Sequence, residues 1–126
     1  MSVMVDSDIL IDVLRKQEKA KNFIESITKD SSTVHISVIT EAELLSGSEC
    51  NETGKREKVE GLLALFHAVD VTQSLARKGA ELRRQHNIAL HDAIIASTAL
   101  SLEAALHTRN AADFKKIKEL KVAVPY

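Results

Sequence analysis

Four acidic residues, far apart along the chain, have the types and neighbours needed to hold a cation: Asp6, Glu43, Asp92 and Asp113. Asp6 directly follows the apolar run Val3-Met4-Val5 and leads into Ser7 and Asp8. Glu43 falls one turn into a helix expected after Ile36, Asp92 opens an apolar stretch after Leu90-His91, and Asp113 closes the run that starts at Thr108. Four clustered carboxylates are tolerable at neutral pH only when cations compensate them or some take up protons. Ligands that are all oxygen select Mg²⁺ or Mn²⁺ over zinc. Such ions activate water, and two of them roughly 4 Å apart would stabilise both the attacking and the departing oxygen of an in-line phosphoryl displacement. Taken singly, each aspartate is explained as well by a helix N-cap, worth about 1 kcal/mol. Glu43 has no capping role, and Glu41, two residues away on another face, is assigned to solvent.

The elements that must bring these acids together are read from periodicity. Buried strands are expected at Val3-Met4-Val5, Thr33 to Ile36, Ala68 to Val71, Ala105 to Thr108 and Val122 to Val124, with helical patterns between them. Val59, Leu62, Leu63 and Phe66 follow i, i+3, i+4, i+7, and Leu75, Gly79 and Leu82 do so more weakly. Residues 93–100 are apolar or small nearly all round, which places them as a central helix against the sheet. Strand alternating with helix implies an α/β fold: a parallel sheet of about five strands with helices on both faces, in one domain spanning residues 1–126. In such sheets ligands bind beyond the carboxyl ends of the strands, where all four acids fall.

Bulk properties narrow the class. The chain has 126 residues and a net charge of −1. Residues 1–76 hold 8 basic against 13 acidic side chains, and residues 77–126 hold 9 against 5. An acidic half and a basic half suit a site that holds cations and receives a polyanion, although solvated helix faces explain the imbalance equally. The lone Cys50, in a polar stretch where irregular structure is expected, excludes an intramolecular disulfide and a multi-cysteine metal site, and fits a reducing, cytoplasmic setting. The N-terminus lacks a signal core and the most apolar run, 93–106, is interrupted by Ser97, Thr98, Ser101 and Glu103, so neither export nor a membrane span is expected.

Other side chains add less. The five histidines show no zinc-site spacing, and His91, beside Asp92, is assigned to loop or cap packing because consecutive helix residues point about 100° apart. Arg77, Lys78, Arg83, Arg84, Lys115, Lys116, Lys118 and Lys121 would flank the pocket and meet phosphates, or simply coat helices. With no Trp and few aromatics there is no base-stacking platform. No serine has a nucleophile-elbow context.

The segments at 5–12, 36–47, 90–96 and 108–114 together resemble the motifs of PIN-domain ribonucleases, and within them the VapC toxins of VapBC toxin–antitoxin pairs. The resemblance covers essentially the whole chain in order and spacing. It implies an endoribonuclease in which Asp6, Glu43, Asp92 and Asp113 bind Mg²⁺ or Mn²⁺, supported by Thr108, Asn110 and Ser7. It also implies hydrolysis to a 3′-hydroxyl and a 5′-phosphate, a homodimer, an RNA substrate and a VapB-type antitoxin. Asp8, a further supporting residue, stands where many members carry Asn; an extra acid there either adds a water-mediated metal contact or caps the first helix, and the cap is the expected role. Two rivals are weighed: a catalytically weak PIN-fold module for RNA binding or dimerisation, and a phospho-receiver-like Mg²⁺-binding domain. The intact acids count against the first. Asp70, expected inside a strand and not after it, counts against the second. A dinucleotide-binding fold fails for lack of a glycine-rich turn after the first strand.

Overall fold

The computed structural model describes residues 2–30 and 33–126. The elements run β1 (Val3–Val5), α1 (Ser7–Leu14), α2 (Glu18–Asp30), β2 (Val34–Ser37), α3 (Val38–Leu45), a short 3₁₀ turn (Ser48–Asn51), α4 (Thr53–Leu63), β3 (His67–Val69), α5 (Gln73–His86), α6 (Leu90–Ser101), β4 (Ala105–His107), α7 (Ala111–Phe114) and β5 (Val122–Ala123). All five strands are parallel, in the order β3-β2-β1-β4-β5. The chain therefore winds outward from β1 in one direction through β2 and β3, and in the other through β4 and β5. The crevice where the direction reverses lies at β1 and β4, as doubly wound sheets place their ligand sites.

Successive residues of a strand point to opposite faces, so β1 sends Met4 to one side and Val5 to the other. Met4 joins a core with Leu82, Ile95, Ala96, Ala99, Leu106 and Phe114, under α5, α6 and α7. Val5 joins a second core with Ile9, Leu10, Ile24, Ile36, Leu44 and Leu63, under α1 to α4. Helices do cover both faces.

Local chemistry explains several boundaries. Thr72 caps α5, its hydroxyl accepting the Leu75 N–H at 3.2 Å, and Ser37 caps α3 by accepting from Ile39. Asn87 ends α5 in the left-handed region (φ 52°), which Asn tolerates better than most side chains. The close approach of α5 and α6 rests on a glycine of α5: a Cβ added at Gly79 would lie 2.8 Å from Ile94 Cγ1, so glycine there lets the two helices touch.

Three details depart from the sequence expectations. Asp70 follows β3 and is exposed, because β3 ends at Val69. β3 is also an edge strand, so Asp70 is remote from the crevice at β1 and β4, and that position argues against a phospho-receiver. Cys50 is in the core, only 8% exposed, within the 3₁₀ turn, with its thiol 3.5 Å from the Leu44 carbonyl. The polar neighbours that suggested irregularity simply face outward. Phe66 is buried but lies past the end of α4, in the turn that enters β3. Among the described residues no helix is long and apolar enough to cross a membrane.

Candidate metal-dependent nuclease site

The site is assembled where β1 and β4 end side by side. The Asp6 N–H donates to the His107 carbonyl at 2.9 Å, which ties the end of β1 to β4. Asp6 then starts α1 as its N-cap: Oδ1 accepts the Ser7 N–H at 2.8 Å. The cap reading offered for Asp8 therefore belongs to Asp6, since the helix begins two residues earlier than that assignment required.

Asp6 Oδ2 accepts the Thr108 hydroxyl at 2.8 Å, across 102 residues of sequence. Thr108 Oγ1 is also 3.3 Å from Asp8 Oδ2 and accepts the Asn110 N–H at 3.0 Å. On the other flank, the Ser7 hydroxyl donates to Glu43 Oε2 at 3.2 Å, joining α1 to α3. Hydroxyls thus link Glu43, Asp6 and Asp8 into one chain. Asn110 enters it through its backbone, and its side chain makes no cap to α7.

Asp92 and Asp113 approach from the other side. Asp92 lies in the first turn of α6 and is 6% exposed, with His91 Nε2 3.1 Å from its Oδ1. His91 is about half exposed and reaches back onto Asp92, contrary to the packing role expected from helix geometry. Asp113 sits on α7, half-buried, with Lys116 Nζ at 3.4 Å.

Electrostatics confirm that the charges share one region. Asp6 is pushed from its ordinary 3.8 up to about 6, first by burial and then by the Asp8 charge, with Asp92 adding to it, while bonds from Thr108 and Ser7 pull the other way. Asp92 is also raised, first by burial; His91 opposes this, and Asp113, Glu43 and Asp8 reinforce it. All four acids, with Asp8, therefore face one another electrostatically at one edge of the sheet.

A cation would relieve this strain, and the donor set fits one. Asp8 Oδ1 and Glu43 Oε1 are hidden from solvent without a hydrogen-bond partner, an arrangement that is costly unless an ion or water completes it. Every donor is a hard oxygen. Among the described residues no three His, Cys, Asp or Glu side chains already stand around one point; the acids are linked through the hydroxyls of Ser7 and Thr108.

Three residues that sequence reasoning passed over adjoin the cluster. Asp12, 7% exposed, accepts from Arg109 Nη1 at 3.0 Å and from the Tyr126 hydroxyl at 2.7 Å. The Arg109 guanidinium lies over the Tyr126 ring, 5.1 Å from its centroid. Burial and the bond to Asp12 hold the Tyr126 hydroxyl protonated far above neutrality. The available signal was the spacing of Asp8 and Asp12, four apart and so on one face of α1.

Comparison with known proteins agrees with this geometry. The family model described as PIN domain matches residues 3–120. The chain is 38% identical over 130 residues to Ribonuclease VapC10 of Mycobacterium tuberculosis, covering 98% of this chain and 95% of that protein. A toxin–antitoxin complex from Klebsiella pneumoniae contains a chain of the same fold (TM-score 0.84, 30% identity, 99% of this chain and 98% of that one). So does VapBC2 from Rickettsia felis bound to a DNA fragment from its promoter (TM-score 0.82, 26% identity, 98% of both chains).

Proposed function

Because this chain belongs to the PIN-domain family, we propose that it is a divalent-metal-dependent endoribonuclease, the toxin of a toxin–antitoxin pair, with Mg²⁺ or Mn²⁺ held by Asp6, Glu43, Asp92 and Asp113. The observation that carries this reading is the hydroxyl-bridged acid chain at the β1/β4 crevice, with two hidden carboxylate oxygens lacking partners. The relatives' names, one a ribonuclease and the others members of toxin–antitoxin complexes, support the substrate and partner classes.

When bound, the metal would supply charge neutralisation at the phosphoryl group and activation of the hydrolytic water. The chain's own residues prepare for it. Ser7 and Thr108 fix which oxygen of each acid is engaged in a hydrogen bond and which is left free. Burial of Asp6 and Asp92 keeps bulk water from screening them, which strengthens their attraction for a cation. His91, against Asp92 at the exposed lip, is placed to hold a proton for the departing 3′-oxygen. The products are a 3′-hydroxyl and a 5′-phosphate.

The same charge explains inhibition. An antitoxin arginine would pair bidentately with these carboxylates and compete with the metal. The cellular setting is the cytoplasm and the assembly a homodimer.

The test is cleavage of mixed transfer and ribosomal RNA with Mg²⁺, Mn²⁺ or EDTA. Activity is expected with either metal, none with EDTA, and a fall of orders of magnitude in kcat for Asp6→Asn or Asp92→Asn. EDTA-resistant cleavage, or full activity in either variant, would overturn the mechanism.

A further inference from the structure

Arg109 contacts one face of α1 twice, by two different parts of the residue. Its backbone N–H donates to Asp8 Oδ2 at 2.9 Å, and its side chain donates to Asp12 Oδ2 at 3.0 Å. Asp8 and Asp12 are four residues apart, one helical turn, so a single residue spans that turn and lays the β4–α7 loop along the helix. Tyr126, beyond β5, closes the arrangement from outside: its hydroxyl donates to the same Asp12 oxygen and its ring lies beneath the guanidinium.

These contacts do not touch the phosphodiester, yet they bear on the acids that would. The loop held by Arg109 carries Thr108, whose hydroxyl donates to Asp6 and sits 3.3 Å from Asp8. With Oδ2 of Asp8 held by the Arg109 N–H and crowded by Thr108, its Oδ1 remains hidden and unpartnered. A carboxylate free to rotate would exchange its two oxygens and lose that distinction. Asp12 is an improbable purely structural choice for the anchor, because a buried aspartate costs desolvation that an apolar pair would avoid. What it adds is direction: a charge-assisted bond fixes the guanidinium, and with it the backbone of Arg109, in one orientation.

Building on the nuclease reading above, we propose that Asp12, Arg109 and Tyr126 form a latch that positions the β4–α7 loop and orients Asp8 and Asp6 toward the divalent cation. They are positioning residues, and Asp8 is the acid through which they act.

The latch is tested with the intact protein by titrating Mn²⁺ calorimetrically into wild type, Arg109→Ala, Arg109→Lys and Tyr126→Phe, well below the melting temperature of each. In parallel, kcat and KM are measured on one RNA at saturating Mn²⁺. Outer partners of metal ligands typically contribute 10- to 100-fold to metal affinity. Arg109→Ala is expected to weaken Mn²⁺ binding by about tenfold and to lower kcat with KM unchanged. Arg109→Lys, which keeps the charge on Asp12 but loses the planar fork, restores part of the affinity. Tyr126→Phe keeps the ring under the guanidinium and removes one hydrogen bond, so it folds and shows a smaller loss of Mn²⁺ affinity, with faster hydrogen exchange at the Arg109 amide.

A residue that only supports the fold would lower the melting temperature and leave Mn²⁺ affinity in the folded protein alone. Wild-type-like Mn²⁺ binding and kcat in Arg109→Ala and Tyr126→Phe overturn the latch while leaving the nuclease reading intact. Wild type that binds no Mn²⁺ and cleaves no RNA overturns the reading and the latch with it.

Discussion

Beneath α6, the sheet carries Met4 and Leu106 against Ala96, Ala99 and Phe114, none of them exposed. At the carboxyl ends of the same two strands, Asp6 and Thr108 are buried almost as deeply, at 4% and 0% exposure. The first region matches every hidden atom with carbon neighbours; the second hides charges that raise one another's proton affinity and oxygens that lack partners. Proteins keep buried like charges at a cost in stability, and the contrast locates where this chain accepts that cost. Removing atoms should therefore hurt the first region and removing charge should help the second.

The largest effect on stability is expected in the apolar region. Phe114→Ala deletes a fully buried ring and should cost about 3–5 kcal/mol, read as a fall in the urea midpoint. A loss under about 1 kcal/mol would mean the region collapses freely, and the contrast would weaken.

The acidic edge should respond with the opposite sign. Asp6 binds its proton more tightly folded, near pH 6, than unfolded, near 3.8. Its stabilising contribution is then full below about pH 3.8 and lost as pH rises through about 6, the reverse of an ion-paired aspartate. In metal-free protein at pH 7, Asp6→Asn should be stabilising by about 3 kcal/mol, since one pKa unit corresponds to about 1.4 kcal/mol and Asn caps a helix as well as Asp. The difference between variant and wild type should shrink toward pH 4, and Mn²⁺ at pH 7 should recover wild type but not the variant. Denaturant melts across pH with and without Mn²⁺ would check all three, and destabilisation of the metal-free variant at pH 7 would reject the electrostatic account.

Gly79→Ala sharpens the comparison at a smaller scale. The added methyl meets Ile94 at 2.8 Å, with the Ile94 backbone at 3.2 Å, so α5 and α6 must part. Overpacking typically costs about 1–3 kcal/mol and the gain in helix propensity returns about 1, leaving a net loss near 1 kcal/mol. A thermal melt showing stabilisation would mean the helices are not in close contact. Thr72→Ala, which removes the exposed cap of the same α5, should cost about 1 kcal/mol or less and leave metal binding unchanged.

Much of this organisation is legible before folding. Runs such as Val3-Met4-Val5 and Ala105 to Thr108 mark strands because a parallel sheet is buried on both faces; Asp6 directly follows the first, and Asp113 lies five residues past the second. Boundaries were less legible. Val71 prolongs the alternation of β3 past Asp70, yet pairing with β2 ends at Val69, and an edge strand has only one neighbour to prolong it. Cys50 was obscured by Ser48, Glu49, Asn51 and Glu52, which reveal nothing of the one side chain turned inward. The cap of the first helix lies two residues before the expected one, because Asp6 and Asp8 are equally good caps in composition and only the backbone of Asp6, extended at ψ 157°, distinguishes them.

The sequence by itself determined the element order and the parallel α/β class, and it marked four acids as candidates for one site, because these follow from local periodicity and residue chemistry. Only the tertiary structure decided how the acids are joined: Thr108 to Asp6, Ser7 to Glu43, and Arg109 with Tyr126 to Asp12. Those bonds link residues 36 to 114 positions apart. Their partners are chosen by strand order and helix orientation, which arise when the two apolar cores form on either side of the sheet.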